Sequence, residues 1–401
     1  DVRYTGATDW REYETKVPAG HLAEGCQTVS FTLRATDWHE PGVDTGTVWF
    51  DELFFGEDQP GAANLLSDPG FEESLEQVRL AVDFSDFDRE MEHYLDRFGF
   101  QSFVLGLTAM PRRGAPGVCG PLRQGSEGYD RVVGTYLREL QEHLRAKGWL
   151  ERAYTYWVDE PEPQDYENVR YGMRLLDQWA PDLRRMLTEQ PEPELYGFVD
   201  IWCPVLSAYD EERCRARQAA GEQIWWYVCC GPHSPYVGLF IDHNAIDLRV
   251  WQWLSHKYDI SGALIWTTNW WYSPAKVRET GAYQNPWDDP MSYTSEGTGY
   301  WGNGDGRFLY PPAVDPNSEH EPIICGPVDS LRWEMLREGL EDFEYFALLK
   351  RLLAQRPDAE AASLLTIPQT ILVDPKTFNR DPQPLYAHRR ALAAAIERLT
   401  R

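Results

Sequence analysis

The chain has 401 residues, 42% of them hydrophobic, and its 38 Lys and Arg face 64 Asp and Glu for a formal net charge of -26. A surface that acidic repels phosphate backbones and anionic membranes, so nucleic acid is not an expected partner. No run of 18 apolar residues is present to form a membrane span, and the length suits one large domain plus a small one.

Residues 1–60 read as β structure: segments near 12–17, 28–34 and 47–55 alternate apolar and polar residues between Gly- and Pro-bearing turns. Residues 46–55 resemble the closing strand of a jelly-roll carbohydrate-binding module. Three or four strands are too few to close a sandwich, so this part is expected to be a small N-terminal β-sandwich fragment. The chain starts without Met or a signal peptide and reads as a processed or truncated product. Residues 61–75, rich in Pro, Gly and Ala, read as a linker.

From residue 76 to 401 the pattern is α/β. Candidate strands lie at 78–84, 101–107, 153–158, 185–188, 199–204, 223–229, 262–267 and 307–310. Candidate helices lie at 86–98, 129–147, 166–179, 210–220, 245–257 and 330–355, with further C-terminal helices beyond. Eight alternating strands predict a (β/α)8 TIM-type barrel, incomplete at its first units because little chain precedes Asp86. On the 330–355 helix, Glu338, Glu341 and Asp342 look like a site. Arg337 and Glu341 stand four apart, however, and a solvated ion pair explains them better.

The segment most suggestive of chemistry is 153–163. A β-branched and aromatic run ends in two adjacent carboxylates, Asp159 and Glu160, and Pro161 and Pro163 then forbid the strand to continue. In a barrel the carboxyl ends of the strands form the active face. Burial and like charge would there leave one acid protonated beside an anion. The competing reading is a cap for the helix near Tyr166, but Asp165 is better placed for it. Adjacent residues in a strand point to opposite faces, so both acids reach one ligand only where the strand has ended. Ordinary retaining and inverting enzymes use two carboxylates set well apart. An adjacent pair better suits substrate assistance, in which a 2-acetamido oxygen attacks the anomeric carbon.

Seventeen Trp and 21 Tyr add a second signal, since flat aromatic faces pack against the C–H patches of sugar rings. Candidate contacts at strand ends are Trp157, Glu189, Trp202, Trp226, Tyr227, Asn269, Trp270 and Trp271. The Gly-rich stretch 300–307 is either a tight loop presenting Trp301, Asn303 and Asp305 to substrate or a plain turn. Of the seven Cys, none forms a C-x-x-C pair or a zinc spacing, and vicinal Cys229 and Cys230 read as two thiols at a strand end. G-x-S-x-G, H-E-x-x-H and Walker patterns are absent, and neither metal nor organic cofactor is expected.

Trp157-Val158-Asp159-Glu160-Pro161 resembles the catalytic motif of glycoside hydrolase family 123, the β-N-acetylgalactosaminidases. HLRAKGW at 143–149, WWYVCC at 225–230, FIDH at 240–243, GALIW at 262–266 and REGLEDFEY at 337–345 resemble it too, in the family's order. The likeness covers roughly residues 80–355. It implies a barrel, a β-linked 2-acetamido-2-deoxy sugar with galactosamine favoured, and substrate-assisted retention. It also implies that Asp159 holds the acetamido group and Glu160 is the acid/base. Relatives act on external glycans, which implies a secreted or periplasmic location. Two rivals remain: a two-carboxylate glycosidase pairing Glu189 with Glu160, and a non-catalytic glycan-binding protein.

Overall fold

The computed structural model describes residues 80–120, 122–297 and 299–401. The sandwich fragment and linker expected over residues 1–75 lie outside the described residues. The chain divides into Asp1–Arg79 and Leu80–Arg401, and the second unit is built on one six-stranded sheet.

That sheet follows helix α1 (Ser85–Glu92). Its strands are β1 (Phe103–Leu105), β2 (Ala153–Thr155), β3 (Arg184–Leu187), β4 (Ile201–Trp202), β5 (Gln223–Val228) and β6 (Gly262–Ile265). They lie side by side in chain order, and every pair is parallel. Parallel neighbours need a crossover. Helices α2 (Glu127–Lys147), α3 (Tyr166–Trp179), α4 (Glu211–Ala219) and α5 (Ile246–Lys257) supply four of the five, and a loop with a 3-10 turn at Pro193–Leu195 joins β3 to β4. The sheet curls into a half-barrel.

The α/β class stands and the barrel is partial, but among the described residues the sheet has six strands where eight are expected. Residues 80–84 are not strand. Asp83 accepts a hydrogen bond from the Ser85 N–H at 2.9 Å, which starts α1, and the Phe84 ring stacks on His143 with centroids 4.1 Å apart. The candidate at 307–310 leaves the sheet as well. Leu309–Tyr310 pairs antiparallel with Val328–Asp329. Gly304 and Gly306, at φ +80° and +72°, turn the chain just before it.

Local chemistry explains the helices. In α2 the Ser126 side chain accepts from the Tyr129 N–H, Gly148 at φ +71° ends the helix, and Tyr129, Val133, Leu137, Leu140 and Leu144 form its buried stripe. Each of those leucines, moved from water to core, contributes about 1.5–3 kcal/mol. Helices α6 (Pro274–Thr280), α7 (Leu331–Gln355), α8 (Ala359–Ser363) and α9 (Pro382–Thr400) follow the sheet. The Arg337–Glu341 pair is exposed, as the spacing predicts. Asp342 is not part of that solvated face: it is 0% exposed and joins α7 to α5 and α9.

Strand β5 shows how the sheet sorts its side chains. Ile224, Trp226 and Val228 join the main core under the helices. Trp225 and Tyr227 join a separate cluster with Met186, Ile201 and Cys203. The period of two thus sends Tyr227 toward the other face of the sheet from Trp226.

Candidate active site

Three strand ends meet at the carboxyl edge of the sheet. The segment after β2 carries Tyr156, Asp159 and Glu160, the segment after β3 carries Thr188 and Glu189, and β5 carries Tyr227. Asp159 accepts hydrogen bonds from the Tyr156 hydroxyl and, at 3.0 Å, from the Thr188 hydroxyl. The same Thr188 oxygen accepts the Glu160 N–H at 2.8 Å, and the Tyr227 hydroxyl donates to Glu160 Oε1. Neither acid caps a helix. Asp165 stands at the N-cap of α3 without a side-chain bond to it, and its carboxyl accepts instead from the Glu162 N–H at 3.0 Å, closing a capping box on the 3-10 turn Pro163–Asp165.

Glu160 has φ +43°, a left-handed conformation outside glycine's usual preserve. Such a residue costs on the order of 1–3 kcal/mol and clusters at functional sites. Its hydrogen bond to Thr188 helps hold the turn and leaves both acids exposed beyond the strand end.

A cavity of about 830 Å³ opens here. Glu160, Tyr166, Thr188, Glu189, Gln190, Val205 and Tyr227 are among its walls. Glu189 is 8% exposed, and burial pushes its carboxyl up to about 7, against the lowering effect of the Gln190 N–H and the Tyr166 hydroxyl. Burial also raises the Tyr156 and Tyr227 phenols, followed by their hydrogen bonds to Asp159 and Glu160. Both phenols therefore stay protonated donors at neutral pH.

A second group gathers after β6. Trp266 contacts Trp270 and Trp301 at 5.2 Å each. Asn269 is exposed, Trp271 donates to the Leu309 carbonyl at 2.8 Å, and Asn303 donates to Asp242 at 3.2 Å. A side chain at Gly306 would meet Thr267, Trp270 and Trp266 at 3.0–3.2 Å, so glycine lets the loop close on them. These residues are not among the walls of the cavity.

Three expected sugar contacts are placed elsewhere. Trp202 is 0% exposed, with its indole N–H on Glu222 at 2.6 Å. Trp226 is 0% exposed, donates to Ser255 at 3.2 Å and packs against Tyr209. A ring fully enclosed by core has no face left for a ligand, so both are corrected to core residues. Trp157 is half-buried, donating to the Pro111 carbonyl at 2.9 Å. It ties α3's neighbourhood to the 106–117 loop rather than lining the cavity. Asp305 is likewise enclosed, at 1% exposure. Sequence reasoning passed over Tyr156, Tyr166 and Thr188. Tyr156 stands three residues before Asp159, a spacing that points to it, whereas Thr188 follows β3 and is revealed only by its reach across to the acids.

Among the described residues there is no group of three or more His, Cys, Asp or Glu suited to a metal ion, and no helix long and apolar enough to cross a membrane.

Comparison with known proteins adds a family. Residues 113–349, more than half of the chain, match the family described as glycoside hydrolase 123, catalytic domain. No curated protein matches. A solved family 123 glycoside hydrolase from Clostridium perfringens, described in a structural analysis of glycolipid glycan hydrolysis, is similar at 16% identity with a TM-score of 0.50. The match covers 79% of this chain and 55% of that one, so this chain spans about half of its length. At that identity the likeness speaks for the fold alone. The chain belongs to glycoside hydrolase family 123.

Proposed function

We propose that the protein hydrolyses glycosidic bonds of β-linked 2-acetamido-2-deoxy sugars, galactosamine favoured, by substrate-assisted retention. One observation carries the reading: Asp159 and Glu160 stand side by side in the segment that follows β2, each held by a phenol and both tied to Thr188.

Asp159 accepts the acetamido N–H and orients the amide so that its oxygen attacks the anomeric carbon. The two hydroxyls on Asp159 keep it aimed and leave a lone pair for the substrate. Glu160 gives its proton to the leaving oxygen, then takes one from the water that opens the oxazoline intermediate. Tyr227 fixes the Glu160 carboxyl for both steps. The glycan class extends to glycolipids by analogy with the Clostridium perfringens hydrolase, and the site of action is outside the cytoplasm, secreted or periplasmic.

The test is inhibition by a galactosamine-derived thiazoline, which mimics the cyclised intermediate. Competitive inhibition of aryl-glycoside hydrolysis is expected. An active hydrolase that ignores the thiazoline, and loses turnover when Glu189 becomes Gln, would instead be a two-carboxylate enzyme.

A further inference from the structure

Beyond Tyr227 the chain runs through Val228 into Cys229 and Cys230. Their sulfur atoms lie 3.6 Å apart, with Cys230 exposed and Cys229 partly so. The Cys229 N–H donates to the Gly231 carbonyl at 2.9 Å, which folds the backbone back on itself and helps set the two side chains together. The electrostatic field at Cys230 includes the carboxyls of Glu160 and Asp305. Asp305 Oδ2 is buried without a hydrogen-bond partner. The thiol pair therefore lies within electrostatic reach of the proposed acid/base and of a buried carboxyl, outside the walls of the cavity itself.

We propose that Cys229 and Cys230 form a vicinal dithiol site that captures one trivalent, thiol-seeking arsenoxide and, once closed, blocks the cleft.

Geometry separates this from the other uses of two thiols. A disulfide would need the sulfurs to close to about 2.05 Å, and consecutive Cα atoms, about 3.8 Å apart, are nearer than the 4.4–6.8 Å that disulfides span. A divalent metal would need further ligands, and no group of three or more such side chains exists among the described residues. A single trivalent arsenic bridges two sulfurs near their present separation. The thiol hydrogen bond between the pair lowers Cys230 and raises Cys229. Cys230, the more exposed and more acidic of the two, attacks first, and Cys229 closes the ring.

The step balances without oxidation. Two arsenic–sulfur bonds form, the arsenic–oxygen bond breaks, and the two thiol protons leave with the oxygen as water. Cys230 interacts electrostatically with Glu160, and the aryl group on the arsenic extends from the ring toward the Glu160 side of the cavity. This effect on turnover rests on the function proposed above; the capture itself does not.

The test uses the full chain, reduced and freed of reductant, with phenylarsine oxide. Intact mass is expected to show one adduct that 2,3-dimercaptopropanol removes and excess 2-mercaptoethanol does not. Turnover should fall at least tenfold and return with the dithiol. Cys230→Ser should keep its turnover, lose the dithiol-reversible adduct and escape inhibition; Cys229→Ser serves equally if that variant fails to fold. An adduct that persists in both variants, or no adduct on the parent protein, overturns the site. An adduct that leaves hydrolysis untouched overturns its control of the cleft. Because mass reads the capture without substrate, a protein that proves inactive on every glycoside still tests the dithiol.

Discussion

Tyr227 and Glu160 stand 67 positions apart in the chain, and the phenol of one donates a hydrogen bond to the carboxyl of the other. The contact exists because a regular strand turns alternate side chains to opposite faces and because Glu160 is held in a left-handed turn past the end of its own strand. Removing the hydroxyl keeps the ring and its packing. A hydrogen bond to a charged group contributes about 1.5–3 kcal/mol. Tyr227→Phe is therefore expected to lower kcat/KM about 10- to 100-fold, with thermal unfolding shifted by only a few degrees. Steady-state kinetics with a melting curve on the same sample checks both parts.

Glu189 makes stability depend on pH. Burial raises its carboxyl to about 7 from an ordinary 4.5, so the folded chain holds a proton that the unfolded chain releases. Stability from this group is full below about 4.5 and declines as the pH rises toward 7, by on the order of 3 kcal/mol in all. Glu189→Gln, which carries no proton to lose, should match the parent near pH 4.5 and exceed it in stability at pH 8. Urea unfolding midpoints at the two pH values measure this. Equal differences at both would show that Glu189 is ionised in the fold without penalty.

Asp342 anchors three helices. It accepts from Arg249 at 2.6 and 3.0 Å, from the Trp253 indole at 2.8 Å and from Arg389 at 2.6 Å, all with the carboxyl fully enclosed. Taking one partner from a buried ionic group typically costs about 3–5 kcal/mol, because the remaining charge is left uncompensated. Asp342→Asn should destabilise by that amount in chemical denaturation and leave KM unchanged in whatever fraction stays folded.

Much of this was legible in the sequence. The apolar stripe and flanking signals set α3 at 166–179, where it is observed, and placed α2, α4, α5 and α7 within two residues of their observed ends. The paired acids after a short apolar run pointed to the carboxyl side of the strand, although β2 stops at Thr155, before the acids and before the prolines are reached. Position relative to a surface was not legible. Trp202 and Trp226 have the same composition cues as an exposed sugar platform, and only packing against Glu222, Ser255 and Tyr209 makes them core. Thr188 was missed for a related reason: its value lies in reaching across to the neighbouring strand, a contact that local spacing does not encode. The number of strands failed where a β-like composition met turn chemistry, at Asp83 before α1 and at Gly304 and Gly306 before residue 307.

The most direct measurement is turnover of an aryl 2-acetamido-2-deoxy-β-galactoside by Glu160→Gln, with circular dichroism showing the fold retained. Loss of the acid that protonates the leaving group should lower kcat by about 100- to 10,000-fold, and least for substrates with the best leaving groups. Parent-like turnover by the folded variant on a poor leaving group would contradict the assignment of Glu160, and with it the chemistry proposed for the paired acids.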